Sequence, residues 1–180
     1  MIIYKDIISG DEMFTDSYKM KVTDDGIFYE VEGNLYSEST KVDERMIGGN
    51  KSAEAPEEDD AEESSVSGCS IVVQNRLMEQ YGVDKKGYKK YIKLYTAALV
   101  KYLKEKRPDD VDKFKANAPK AIEKILKSFG DWTFYHGQNE DFNFDNEEKA
   151  EGMLALLGYR SDGQTPYMLF FKDGLEEEKA

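Results

Sequence analysis

A chain of 180 residues with 37 acidic and 25 basic side chains carries a formal net charge of −12; this excludes a whole-molecule binder of nucleic acid, because a phosphate backbone demands the opposite sign. The length suits one domain able to bury a sizeable core. A single cysteine, Cys69, and a single histidine, His136, exclude an internal disulfide and a multi-cysteine zinc cluster.

The opening stretch MIIYKDIISGDE has no basic segment followed by a long apolar run, so no secretory signal is expected. The apolar runs MLALL (153–157) and YMLFF (167–171) fall far short of the roughly 20 residues that span a bilayer. These features predict a soluble, cytoplasmic protein with no membrane contact.

In chain order, DEMFTD (11–16) reads as a short helical turn capped and complemented by Asp11 and Asp16. YKMKV (18–22) alternates apolar residues with lysine, and Ile27, Tyr29 and Val31 alternate with Phe28, Glu30 and Glu32. Between them Asp24-Asp25-Gly26 supplies the turn of a hairpin. The glycines of IGGN (47–50) permit positive φ and close backbone approach, which suits an ordered exit from a β core. Seven of residues 51–67 are then Asp or Glu. So charged and apolar-poor a stretch cannot offset its ordering entropy, and a long mobile acidic loop is expected there.

IVVQNRLM (71–78) and WTFYH (132–136) read as strands, and MLALLGY (153–159) and PYMLFF (166–171) flank a second turn, Ser161-Asp162-Gly163-Gln164. Pro166 places its strand at an edge or stands as its first residue. Between these strands the periodicity changes. Tyr88, Tyr91, Ile92, Tyr95, Leu99, Tyr102 and Leu103 recur at three- and four-residue steps, one face of a helix. Arg107-Pro108-Asp109 breaks it, and Val111, Phe114, Ala118, Ile122, Ile125 and Phe129 form a second stripe, with Pro119 expected to kink that helix or shift its start. An antiparallel helical hairpin over 85–129 follows. Its tyrosines suit packing better than a nucleobase platform, because the spacing serves burial.

Charge is segregated. Residues 85–127 hold 14 basic and 5 acidic side chains, a local +9, and the remainder is −21. The hairpin is therefore the plausible dock for an acidic partner. No phosphate-binding glycine loop is present. Cys69 precedes an apolar strand, where burial is favoured over nucleophilicity, and His136 has no second ligand type beside it. The chain is expected to be non-catalytic. Asp141, Asn143, Asp145 and Glu147 alternate like the first ligands of a calcium loop, but the sixth and twelfth positions are Asn146 and Gly152 rather than Gly and Glu. Only weak calcium binding by an acidic loop is expected from this segment.

MIIYKDIISGDEMFTDSY at the start, IGGNKSAE (47–54), YKKYIKLY (88–95) and TPYMLFFKDGLEEEK at the end resemble the translationally controlled tumour protein family over nearly the whole chain. The resemblance implies an α+β fold: a β-tent core of antiparallel sheets, similar to Rab accessory factors and B-type methionine sulfoxide reductases, with an antiparallel helical hairpin and a long mobile loop, all in one domain spanning 1–180. It also implies a non-catalytic cytoplasmic monomer that binds calcium and associates with tubulin and microtubules, with a role in growth control and cell survival. The alternative is regulation of a Ras-like small GTPase, for which the family's exchange activity is proposed and disputed.

Residue by residue, the family's acidic N-terminal segment matches Asp11 and Glu12, with its GTPase-contact glutamate falling on Glu12. The signature falls on Ile47, Gly48, Gly49, Asn50, Ser52, Ala53 and Glu54. Lys85, Lys86, Lys89, Lys90 and Lys93 are the residues expected to meet an acidic tubulin tail. Glu57, Glu58, Asp59, Asp60, Glu62 and Glu63 are a chemical likeness of such a tail and are expected to cover that basic face transiently, with Ser64 and Ser65 as kinase candidates beside them. Departures from the family pattern are Arg45 where animal members carry a regulatory serine, Ala180 where some end in a dimerising cysteine, and Tyr135-His136-Gly137-Gln138 followed by an extended segment up to Gly152. With Cys69 alone, the zinc and the reductase chemistry of the related enzymes are excluded.

Overall fold

The computed structural model describes residues 1–38 and 66–180. Strands β1 (Ile2–Asp6), β2 (Glu12–Thr15), β3 (Lys19–Val22), β4 (Phe28–Glu32) and β5 (Leu35–Glu38) come first. Next are β6 (Val66–Cys69), helix α1 (Ser70–Asn75), β7 (Met78–Gln80), and helices α2 (Lys85–Lys106) and α3 (Val111–Lys127). Strands β8 (Thr133–His136), β9 (Ala155–Tyr159), β10 (Pro166–Phe171) and β11 (Leu175–Lys179) close the order.

The larger sheet has the order β3-β4-β10-β9-β8-β7, and β11-β1-β2 and β5-β6 form separate ladders. Every pairing is antiparallel. Local chemistry fixes both expected hairpins. In the β3–β4 turn Gly26 adopts φ 75°, and the Asp25 carboxylate accepts the Ile27 N–H at 2.9 Å. In the β9–β10 turn Asp162 accepts from the N–H groups of Gln164 and Thr165. Pro166 is the first residue of an inner strand, a position that tolerates its missing donor. The smaller sheet instead joins distant segments. β1 lies between β2 and β11, with Ile2 opposite Lys179, and the Ala180 N–H reaches the Met1 carbonyl at 2.9 Å.

The two helices lay their apolar stripes on this framework. On α2, Tyr88, Tyr91, Ile92, Tyr95, Leu99 and Leu103 are buried. Tyr95 packs on Phe171 at 5.1 Å and Tyr88 on Phe134 at 5.0 Å between ring centroids. The expected packing role of the tyrosines holds. Phe14, stacked on Tyr4 and set 4.4 Å from Phe170, joins the small sheet to the large one. Burial of each such aromatic contributes roughly 1.5–3 kcal/mol. Among the described residues no helix is long and apolar enough to cross a membrane.

Four expectations are corrected. The strand expected at 71–78 is helix α1 followed by β7. Its β-branched residues are overridden by local closure: Asn75 Nδ2 donates to the Ile71 carbonyl at 2.8 Å, and Arg76, left-handed at φ 57°, turns its N–H back on the helix. The helical turn expected at DEMFTD is strand β2, because Ile3 and Tyr4 offer a ladder to Thr15 and Phe14 that buries Met13 and Phe14 completely. Pro119 sits inside α3 and, of the two outcomes expected for it, does not shift the helix start; it is exposed, so the one lost hydrogen bond faces solvent. The expected acidic loop of 51–67 ends earlier, since Val66 and Ser67 pair with Glu38 and Ser37. The rest of that loop, with the signature Ile47–Glu54 and with Ser64 and Ser65, lies outside the described residues.

Candidate functional site

The site begins at the N-terminus of α2. The Asp84 carboxylate caps it by accepting the Gly87 N–H at 2.7 Å. The first turn holds no acidic residue, and Lys85, Lys86, Lys89, Lys90 and Lys93 are all exposed. Lys85 and Lys86 lie in the first turn, at the positive end of the helix dipole, where a cation is unfavourable by a few tenths of a kcal/mol. Helix stability alone would place acids there. Among the described residues none of the five lysines forms an ion pair.

The segment 137–152 forms the facing wall. Phe144 packs on Tyr91 at 5.7 Å between ring centroids, and a Cβ at Gly87 would meet the Asp84 capping carboxylate at 2.8 Å and the Phe144 ring at 3.3 Å, so the absent side chain serves both the cap and the close approach of the segment. The result is a groove of about 660 Å³. Lys86, Lys89, Lys90 and Lys93 rim one side, Asp145, Asn146 and Glu147 the other, and Tyr91, Leu94 and Phe144 form an apolar floor.

Buried polar groups anchor that wall. Tyr91 Oη donates to the Gly152 carbonyl at 2.6 Å and accepts the Leu154 N–H at 2.8 Å. Asp6, buried at the end of β1, accepts the Met153 N–H at 2.7 Å, the Ile8 N–H at 2.9 Å and the Ser9 hydroxyl at 2.9 Å. Burial raises its carboxyl above the ordinary 3.8 against the pull of those donors. His136 stacks on Phe142 at 4.4 Å and 17°, and its Nδ1 donates to the Gly137 carbonyl at 2.8 Å. Burial lowers the imidazole below 6.5. Within the segment, Glu151 accepts from the Asn146 side chain at 2.9 Å and the Asn143 N–H at 2.7 Å, which hold its carboxyl below the ordinary value.

The alternating Asp141, Asn143, Asp145 and Glu147 do not form a chelating set. The Asn143 side-chain oxygen already accepts the Asp145 N–H at 2.9 Å, and among the described residues no three His, Cys, Asp or Glu side chains converge to hold a metal ion. Asp11 and Glu12 part company as well. Asp11 is half-buried against Gly137, with its carboxylate 3.4 Å from the Asn139 N–H, and so belongs to the anchoring of the segment. Glu12 is exposed on β2 opposite Lys5. Cys69 is buried, and burial pushes its thiol up, away from nucleophilic use.

The structure thus brings together two sets that looked separate, the lysines of α2 and the acids Asp145 and Glu147. Sequence reasoning missed Asp6, Tyr91, Phe144 and Gly152 as the groove's makers; Gly87 among four lysines was the one local signal of a close approach.

The family model described as Translationally controlled tumour protein matches residues 1–176. The chain belongs to the translationally controlled tumour protein family. It is 50% identical over 179 residues to the Translationally-controlled tumor protein homolog of Branchiostoma belcheri, and 45% identical over 180 residues to the Translationally-controlled tumor protein of Homo sapiens, with 99% of each chain covered in both cases. A solved family structure from Schizosaccharomyces pombe superposes with a TM-score of 0.76 at 40% identity, covering 100% of both chains. One from Caenorhabditis elegans gives 0.70 at 30% identity, covering 100% of this chain and 99% of that one. The α+β fold of antiparallel sheets and a helical hairpin is therefore the fold of this translationally controlled tumour protein family, as the resemblance implied.

Proposed function

We propose that the chain is a non-catalytic binding protein that holds an acidic polypeptide segment on the lysine side of the α2 groove, and that it associates with microtubules through the acidic tails that tubulin exposes. The observation that supports this most is the row of five exposed lysines, unpaired among the described residues, two of which, Lys85 and Lys86, lie in the first helical turn where cations are unfavourable. A ligand carboxylate would gain from both the ammonium groups and the helix dipole. Asp145 and Glu147 across the groove keep like-charged ligands to the lysine side and so set register. Calcium enters this reading as a diffuse counterion of those exposed carboxylates, not as a resident ion.

Microtubule co-sedimentation tests the proposal. Binding by the unaltered chain is expected to weaken steeply as salt rises, and a Lys85→Glu, Lys89→Glu, Lys93→Glu chain is expected to lose it. Undiminished binding by that folded variant would overturn the reading.

Glu12 favours a second reading, contact with a Ras-like GTPase, since it is exposed and, among the described residues, in no ion pair. Glu12→Val should leave the fold intact and weaken stimulated nucleotide exchange; equal exchange by both chains would remove this reading.

A further inference from the structure

Lys89 and Lys93 stand on a ridge shared by two grooves, for they line the first groove and also a second one between α2 and α3. The second is about 580 Å³ and is floored by Ile92, Val100, Phe114, Ala118, Ile122 and Leu126. Val100, Ile122 and Leu126 are only half-buried there. The lining runs from Lys89 to Val100 on one helix and from Phe114 to Leu126 on the other. At 1.5 Å per residue that is a trough about 17 Å long, the length of three helical turns.

Its rim is charged on one side of neutrality. Lys89, Lys93 and Lys115 face the groove beside one acid, Glu123. Glu123 is within 3.9 Å of Lys127, whereas among the described residues the three lysines have no ion-pair partner. Pro119, also on the groove, has no N–H to give the Lys115 carbonyl, which leaves an acceptor at the rim. A second copy of this chain is a poor occupant, because two hairpins each carrying a local +9 would repel.

We propose that this groove docks an acidic amphipathic helix of a partner protein, about three turns long, with its apolar side chains in the trough and its carboxylates over Lys89, Lys93 and Lys115. The proposal takes the acidity of the ligand from the function proposed above and adds an apolar face and a helical conformation. A helix laid in a groove reads its partner through apolar anchors at three- and four-residue steps, and the two stripes that line this trough accept that spacing. The shared ridge lets one ligand place charge on the lysines while it buries leucine or phenylalanine on the far side of them.

The test uses the full chain and two synthetic peptides of about 15 residues with equal numbers of leucine and glutamate. One has leucines at helical spacing, and in the other the leucines are scrambled off any single face. The amphipathic peptide is expected to bind at least about tenfold tighter, to gain helical circular dichroism on binding, and to shift the amide resonances of Val100, Ile122 and Leu126. A Val100→Thr, Ile122→Thr chain should lose that advantage and keep its binding of the scrambled peptide. Equal affinity for both peptides, with shifts confined to Lys86–Lys93 and Phe144–Glu147, would overturn the docking helix and leave acid binding standing. Binding of neither peptide would overturn both. Should the variant chain fail to fold, the comparison of the two peptides on the unaltered chain decides.

Discussion

The phenol of Tyr91 is bonded to the Gly152 carbonyl at 2.6 Å, a contact that ties the first helix to the far end of the segment forming the groove's acidic wall. The same oxygen takes the Leu154 N–H at 2.8 Å, so one buried hydroxyl satisfies two peptide groups on either side of Met153. Removing it with Tyr91→Phe would leave a carbonyl and an N–H unpaired in the interior. The expected loss is about 2–4 kcal/mol in chemical denaturation, with faster hydrogen exchange at Leu154. Tyr88 provides the control. Its hydroxyl is buried and makes no hydrogen bond within the described protein, so Tyr88→Phe should be neutral or stabilising within about 1 kcal/mol. Equal losses for the two substitutions would contradict the assignment.

His136 makes stability depend on pH in a definite direction. Burial lowers its imidazole below 6.5, outweighing the Gly137 carbonyl and the Asp11 carboxylate, which favour the proton. The unfolded chain therefore takes up a proton near pH 6.5 that the folded chain takes up only at lower pH. Stability should be level above that value and fall as pH drops from it to the folded value. Asp6 acts in the opposite sense. Its carboxyl is raised above 3.8, so stability gained from its protonation appears as pH falls through its folded value toward 3.8. His136→Phe keeps a ring against Phe142 and should abolish the loss that sets in as pH falls below about 6.5 in urea titrations. An unchanged slope would assign it to other groups.

Gly137 is placed where a side chain cannot go. A Cβ there would run into the Cβ and carboxyl of Asp11, and that Cβ is held by its own backbone. Gly137→Ala should cost about 1–3 kcal/mol and move the amide signals of both the β1–β2 turn and residues 138–143. A shift at only one of the two would show that they are not coupled here.

Arg107, at the break between α2 and α3, donates from Nη2 to Asp173 at 2.9 Å, and Asp173 is buried while Arg107 is about half-exposed. Arg107→Leu would leave the carboxylate with Lys172 at 3.7 Å. The loss should be about 1–3 kcal/mol, toward the lower figure because the arginine is partly screened. Adding Asp173→Asn should recover part of it. A double-mutant cycle with no coupling would mean that the pair contributes nothing.

What was legible in the sequence was local. Asp24-Asp25-Gly26 marks its turn because a left-handed glycine and an aspartate that accepts a nearby N–H are both chemistry of adjacent residues. The stripe from Tyr88 to Leu103 is legible because one helix face is a matter of counting. Strand β11 was not. Its residues LEEEK offer one buried side chain, Leu175, and four exposed ones, so only pairing with β1 makes it a strand. β2 and α1 were misread in opposite directions, β2 because its pairing with β1 lies outside its own residues and α1 because its own capping bonds override its β-branched side chains. The groove itself was illegible, since Tyr91 and Gly152 are 61 positions apart and no periodicity spans that distance.

The placement of β1 between β2 and β11 has a consequence for the order in which the protein comes into being. Ile2 is synthesised 177 positions ahead of Lys179, its ladder partner. At cellular elongation rates the interval is on the order of ten seconds or more. During that time β1 can close a hairpin with β2, but its other edge stays open, a row of unpaired peptide groups available to any passing strand. The central strand of the small sheet is thus finished only after both helices and every strand of the large sheet have been synthesised. A nascent chain stalled just before Leu175 would carry both helices and all six strands of the large sheet, yet leave β1 an edge in search of a partner.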